Sequence, residues 1–274
     1  MKPAPFDYVR ADSLPEALAV LKAEGSDARI LAGGMSFMAM LNMRLARPKV
    51  LVDIMRLEAL ATIELRKGEV VVGAGMRQAR LLAWEGLTGH LPLIAKALPF
   101  TGHAQTRSRG TVCGSIAHAD PSAELPLCLM ALGGQVHLAS AAGRRKVPAE
   151  AFITGMMATA KADDEMIEAV SFPIVADEGT AFREIARRHG DFAIVACGAR
   201  VSATGIRLTV GGVADMPVVR DLPPLEGTAL DDALNTLAFE LDARDDVHAS
   251  ARYRRELVRR IGRATIEEAR RCRA

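Results

Sequence analysis

With 274 residues, half of them apolar and a quarter charged, the chain has the composition of a soluble globular protein with room for two domains and a sizeable core. A formal net charge of +2 excludes a general pull towards nucleic acid or an anionic membrane, and a single tryptophan, Trp84, excludes a base-stacking platform. The four cysteines, Cys113, Cys128, Cys197 and Cys272, fit no CxxC or ferredoxin spacing, so neither a resident iron–sulfur cluster nor a zinc site is expected. The opening residues lack the apolar stretch of a signal peptide and no apolar run reaches about 18 residues, so the chain is expected in the cytoplasm without membrane insertion.

In chain order, Ser13-Leu-Pro-Glu16 reads as a capping box opening a helix that stops near Gly25. A short apolar strand over Ala28–Ala32 ends in Gly33–Gly34, a helix follows over Ser36–Leu45, and Lys49–Ile54 is a second strand. The methionines at 35, 38, 40 and 43 read as adaptable core filler. Ala61–Leu65 and Glu69–Val72 flank Lys67–Gly68 as a hairpin, and helical stretches follow at Gln78–Glu85 and Leu91–Leu98. Pro99–Pro121 is rich in Gly, Thr, Ser, His and Arg and shows no hydrophobic period, the mark of a long functional loop. Ala123–Leu132 is predicted helical, Gln135–Ala139 a strand before a basic turn at Gly143–Lys146, and Glu168–Phe172 a strand ending at Pro173.

A domain boundary is expected at Val175–Gly179, dividing the chain into residues 1–175 and 176–274. Beyond it, Ala193–Val201 and Ile206–Val213 alternate as antiparallel strands, and helices over Thr228–Leu241 and Val247–Cys272 end the chain. In the last helix Tyr253, Leu257, Ile261 and Ala264 form the apolar face, while eight arginines solvate the others with Glu256, Glu267 and Glu268 as partners. A sharper reading puts this basic helix against a partner subunit. The segregation of elements predicts α+β architecture.

Two segments carry candidate chemistry. Ala32-Gly33-Gly34-Met35-Ser36 joins a strand to a helix, where glycines let main-chain N–H groups approach a phosphate. Many strand-to-helix turns share that pattern, so it is weak alone. Arg107-Ser-Arg109-Gly110-Thr111-Val-Cys113-Gly114-Ser115 adds glycines that open the backbone and hydroxyls that donate to phosphate oxygens, and Asp120-Pro121 closes it as a turn. Gly73-Ala-Gly75 begins like a Rossmann fingerprint, but Gln78 replaces the third glycine and the preceding strand belongs to a hairpin. His103, His118 and His189 read as hydrogen-bonded loop residues; no GxSxG or HExxH pattern is present.

Together, Ala32–Ser36 and Thr111-Val-Cys-Gly-Ser-Ile-Ala-His-Ala-Asp-Pro121 resemble the FAD-binding medium subunits of molybdenum hydroxylases, a family that includes aerobic carbon monoxide dehydrogenase and bacterial xanthine dehydrogenase relatives. Phe6-Asp-Tyr8 and Phe182-Arg-Glu-Ile-Ala-Arg-Arg188 with Gly190-Asp191 extend the resemblance along nearly the whole chain. It implies a two-lobed vanillyl-alcohol-oxidase-type FAD domain followed by a smaller C-terminal α+β domain.

By the same resemblance Ile30, Leu31, Ala32, Gly33, Gly34, Met35, Ser36 and Phe37 lie along the FAD pyrophosphate. Gly110, Thr111, Cys113, Gly114 and Ser115 face it from the other lobe, with His118 and Asp120 in the same motif. Glu124 matches a position at the adenosine half, and Thr101 and Ile167 match positions close to the flavin ring. No catalytic acid or base and no metal ligand is implied in this chain. Electrons would come from molybdenum in a large subunit through [2Fe-2S] clusters in a small subunit, with a dimer of heterotrimers as the assembly, and leave to an external acceptor.

Two residues depart from the family pattern. Cys113 stands where glycine is usual, and Glu184 where many relatives carry lysine near the ring. Two other readings remain open at this stage: a nucleotide- or phosphate-binding module without a redox role, which would be colourless, and a stand-alone flavin oxidase, which the short second domain disfavours.

Overall fold

The computed structural model describes residues 2–273. Its first lobe is a three-stranded parallel sheet of β1 (Asp7–Arg10), β2 (Ala28–Leu31) and β3 (Val50–Asp53), in the order β1-β3-β2. The β1 strand was not foreseen, because four residues with three exposed side chains carry no burial pattern. Helix Leu14–Glu24 connects β1 to β2 and starts as the sequence indicates, with the Glu16 N–H donating to Ser13 Oγ at 3.3 Å. The reciprocal bond runs from the Asp12 N–H to the Glu16 carboxylate at 2.7 Å, one residue earlier than in a standard capping box. Ser13→Ala should lower stability by about 1 kcal/mol, read as a shift of the urea midpoint at unchanged slope.

The second lobe is an antiparallel sheet built from β4 (Ile63–Arg66), β5 (Glu69–Gly73), β6 (Gln135–Ser140) and β7 (Gly143–Pro148). A small hairpin, β8 (Ile153–Gly155) and β9 (Ala158–Thr159), leads to β10 (Met166–Pro173), which fills the centre of the order β4-β5-β10-β6-β7. The expected basic turn at 143–146 is therefore an edge strand. Arg144 and Arg145 are held on it by bidentate bonds to Glu168 and Glu165, and a basic edge discourages pairing with another sheet.

The C-terminal domain is a four-stranded antiparallel sheet in sequential order: β11 (Gly179–Ile185), β12 (Val195–Val201), β13 (Ile206–Gly211) and β14 (Val218–Leu222). Helices Gly227–Glu240 and Ala251–Arg271 accompany it, and the basic long helix contacts β11, β12 and β13. One core fills both lobes of the first domain, and a second lies between the C-terminal sheet and its helices. The chain is thus an α+β protein of two domains.

Three expectations need correction. Helix Phe37–Asn42 lies on the surface with only Leu41 buried, so Met35, Met38 and Met43 are exposed and are not core filler. The buried stripe of the last helix runs through Arg254, Leu257, Val258, Gly262, Thr265, Ile266 and Ala269, leaving Tyr253 exposed. Arg254 is not on the solvated face: it donates to the Ile194 and Gly212 carbonyls at 2.7 and 2.6 Å and pairs with Asp246. The other arginines behave as expected, with Arg259 and Arg260 on Glu256 and Arg263 on Glu267, whereas Glu268 reaches across to Arg183 of β11.

The two domains meet on glycine. Leu127, on helix Glu124–Leu132, lies over Gly198 of β12 and Gly211 of β13, where any Cβ would fall 2.8 and 3.0 Å from its methyl carbons. The Gly212 N–H donates to the Pro121 carbonyl at 2.8 Å, fixing the same junction through the backbone. Phe182 and Ala196 of the C-terminal sheet pack into the core of the first domain.

Candidate FAD site at the meeting of the two glycine segments

The structure brings the two glycine segments into direct contact. A Cβ on Gly33 would sit 2.3 Å from the Arg109 carbonyl oxygen and 2.7 Å from Gly110 Cα, so backbone lies on backbone there. Gly34 has φ +71°, the left-handed region that glycine occupies without cost, and this turns the chain from β2 into helix Phe37–Asn42. Gly33, Gly34, Met35, Ser36 and Phe37 donate none of their backbone N–H groups to another described residue. A continuous run of free donors beside a glycine contact suits the oxygens of a pyrophosphate.

Residues 99–121 do not form the expected loop. They fold into two short helices, Ala104–Arg109 and Val112–His118, followed by an Asx turn in which Asp120 Oδ1 accepts the Ser122 N–H at 2.8 Å. Hydrophobic period was hard to see because each helix is so short, yet Val112, Cys113 and Ile116 are buried on one side of the second. Thr111 caps that helix, its Oγ1 accepting the Gly114 N–H at 3.0 Å, and a Cβ on Gly114 would fall 2.6 Å from that oxygen. Gly114 is therefore a close-contact glycine in a helix and not part of a glycine turn.

The segment is braced by Met76, Gln78 and Arg107, to which the sequence assigned no such role. The Gln78 N–H donates to the Gly110 carbonyl at 2.9 Å and the Val112 N–H to the Met76 carbonyl at 3.0 Å, while buried Gln78 reaches the Thr111 carbonyl through Nε2. Arg107 Nη1 donates to the carbonyls of Pro99, Thr101 and Gly102. The decoy at Gly73-Ala-Gly75 also has a structural cause, since a Cβ on Gly73 would meet the Leu60 carbonyl at 2.3 Å.

Cys113 lies in the first turn of its helix with negative φ, and its thiol points into the core towards the Val72 carbonyl at 3.5 Å. Burial pushes the thiol well above its usual range, so it stays neutral and puts no anion near a phosphate. The side chain thus leaves the cradle free, which answers the first departure from the family pattern.

The junction between the domains is formed on one side by the face of β11 that carries Phe182 and Glu184. Phe182 and Glu184 share the face of β11 turned to the first domain, where the Phe182 ring is 5.7 Å from Phe100. Gly190, at φ +83°, presses the following loop onto His103 and Gly102, and His189 stands 6.3 Å from His103. These histidines contact rings and backbone; neither they nor His118, at the end of its helix, forms the expected side-chain hydrogen bond among the described residues.

Glu124 belongs with this group. It is buried at the start of its helix, and its charge acts on Glu184. Burial, reinforced by Asp120 and opposed by the Thr101 hydroxyl and Arg107, pushes its carboxyl up to about 7. The Thr101 hydroxyl stands near it without closing a hydrogen bond. Glu124 and Thr101 thus stand close to one another. Ile167 is buried in the main core on β10. Between Thr101 and the cradle at Gly110 lie Gly102, His103 and one helix of six residues, itself about 9 Å long.

Among the described residues no group of His, Cys, Asp and Glu is arranged to hold a metal ion, and no helix is long and apolar enough to cross a membrane. Residues 4–175 match the family described as the FAD binding domain in molybdopterin dehydrogenase, and residues 180–269 match the CO dehydrogenase flavoprotein C-terminal domain. The chain belongs to the FAD-binding subunits of the molybdenum hydroxylases. It is 35% identical over 285 residues to the 6-hydroxypseudooxynicotine dehydrogenase complex subunit alpha of Paenarthrobacter nicotinovorans, covering 98% of this chain and 96% of that protein. To the carbon monoxide dehydrogenase medium chain of Hydrogenophaga pseudoflava it is 34% identical over 227 residues, 81% of this chain and 79% of that one. A solved carbon monoxide dehydrogenase from the same organism superposes with a TM-score of 0.95 at 29% identity over 100% of both chains. Quinoline 2-oxidoreductase from Pseudomonas putida 86 gives 0.92 at 32% identity over 98% of both.

Proposed function

We propose that this chain is the electron-transfer flavoprotein of a heteromeric molybdenum hydroxylase. It would receive electrons from [2Fe-2S] clusters of a small subunit, themselves fed by a molybdenum-binding large subunit, and pass them to an external acceptor such as NAD, oxygen or a quinone. Bound FAD supplies the redox chemistry. The observation that carries the reading is the contact of Gly33 with Arg109–Gly110 beside the free N–H groups of residues 33–37. The resident side chains fit FAD, since the cradle offers donors and no carboxylate, with the junction at Thr101 one helix away.

Within this reading residues 30–37 and 110–115 bind the pyrophosphate, and His118 and Asp120 shape the turn that ends the second segment. Thr101, Ile167 and Glu184 lie at the ring end and Glu124 at the adenosine half, and we divide the chain functionally after residue 175, in the gap between the two family matches. Names of relatives such as complex subunit alpha and medium chain support an assembly with other subunits, for which a cytoplasmic dimer of heterotrimers is our proposal.

The test is to tag the chain in its native host and measure FAD, iron and molybdenum in what co-purifies. Yellow protein with both metals on other chains is expected, whereas the isolated chain should turn over no substrate. A colourless protein, or full turnover by this polypeptide alone, overturns the proposal.

A further inference from the structure

Of the four cysteines only Cys272 is open to solvent; Cys113 and Cys128 sit in the core of the first domain and Cys197 in that of the second. Cys272 has a lysine for a neighbour. Lys96, on helix Pro92–Ala97 of the first domain, donates from Nζ to Cys272 Sγ at 3.3 Å and to the Thr180 carbonyl of β11 at 2.5 Å. Three segments distant in sequence therefore converge on one amino group: a first-domain helix, the strand that opens the C-terminal domain, and the end of the last helix. Both side chains are mounted on ordered backbone. The Cys272 N–H donates to the Glu268 and Ala269 carbonyls, closing the last turn of helix Ala251–Arg271. Gly179 has no side chain to hold that turn away, so the backbone at Ala269 and Arg273 lies directly on the start of β11. Glu268, one turn before Cys272, pairs with Arg183 farther along the same strand.

Held proximity of this kind turns a bimolecular encounter into an intramolecular one. An accessible thiol is oxidised first to a sulfenic acid, which condenses with a second thiol or with nitrogen. Among the described residues no second thiol is exposed, whereas Lys96 Nζ already touches the sulfur. We propose that Cys272 and Lys96 form a peroxide-driven covalent cross-link between the two domains. In the first step hydrogen peroxide oxidises the thiol by two electrons. Its O–O bond breaks, one oxygen stays on sulfur as the sulfenic acid of Cys272, and the other leaves as water. Lys96 then gives its extra proton to solvent, and Nζ attacks the sulfur. The S–O bond breaks, the hydroxyl leaves with a nitrogen-bound hydrogen as water, and a neutral S–N bond remains. The linked chain is two hydrogens lighter than the free one. A thiol reductant opens the S–N bond, returning thiol and amine while the reductant becomes a disulfide.

The link closes a loop of 176 residues, which restricts the unfolded chain. It also keeps Cys272 from the irreversible sulfinic and sulfonic acids. Hydrogen peroxide is what oxygen becomes on taking up two electrons, so a flavoprotein that reduces oxygen would make the oxidant itself. The cross-link needs no flavin, however, and stands or falls apart from the electron-transfer reading.

The purified full-length chain is treated with hydrogen peroxide, digested and read by mass spectrometry. The expected result is a joined pair of peptides, Lys96 to Cys272, two hydrogens lighter than the sum of its parts and separated by dithiothreitol. The melting temperature should rise on peroxide treatment and return on reduction. Lys96→Arg keeps a cation and a donor for Thr180 without an amine nucleophile, and Cys272→Ser removes the thiol. Neither variant should form the link or show the rise, and a cooperative melt before treatment shows that each is folded. Cys272 found only as sulfenic, sulfinic or sulfonic acid with Lys96 free, or as a disulfide between two chains, overturns the proposal.

Discussion

Gly33→Val is expected to lower bound FAD by roughly tenfold or more, equivalent to about 1.4 kcal/mol or greater, measured as the flavin-to-protein absorbance ratio after purification. The reason is a contact between two main chains. The added Cβ would enter the Arg109 carbonyl at 2.3 Å and Gly110 Cα at 2.7 Å, and neither atom can rotate away as a side chain would. The first lobe must then separate from Arg109–Gly110, which spreads the donor groups at 33–37 away from the helix beginning at Val112. Gly89→Ala supplies the control, because a Cβ there meets nothing within 4 Å and the residue has no positive φ. Equal flavin in the two variants would remove the cradle from residues 33 and 110.

Arg254→Ala should cost about 3 kcal/mol of stability, seen as a lower denaturant midpoint. The guanidinium is 6% exposed and spans two carbonyls and a carboxylate, those of Ile194, Gly212 and Asp246. Removing it strands two acceptors in a place that water reaches poorly. Arg254→Lys should recover only part of the loss, since an ammonium does not reproduce the fork. The effect should extend to the flavin. Gly212 also holds the Pro121 carbonyl, and the Ile194 N–H bonds the Ile185 carbonyl, so the segment carrying Gly190 is anchored through the same residues. Faster FAD dissociation without a change in the absorption spectrum of bound flavin is the expected signature. Unchanged stability would mean that the carbonyls find other donors.

The elements visible in the sequence were those with their own period or punctuation. The hairpin around Lys67–Gly68, the strand Val50–Asp53 and the gap between Pro173 and Gly179 correspond closely to what the sequence indicates. The two helices inside 99–121 were hidden for a physical reason. At six and seven residues they are too short to be stable alone and depend on bonds from Met76 and Gln78, which are distant in sequence. Arg254 was misplaced because arginine on a helix normally marks solvent, and its three acceptors lie on other segments. The glycine segments announced a phosphate cradle, and the resemblance extended it to FAD. The junction at Phe182 was invisible, because Phe100 and Phe182 are far apart in sequence and meet only when β11 is laid against the first domain.

The Leu127 seat on Gly198 and Gly211 has a mechanical meaning. A joint in which a methyl group rests on bare main chain has no intervening side chain whose rotation could absorb a tilt, and the Gly212–Pro121 bond pins it at one edge. Such a bearing has little slack, so the two domains keep a fixed spacing at this joint. In the proposed electron-transfer role, where rate falls steeply with distance, a stiff mounting of this kind would hold that distance constant.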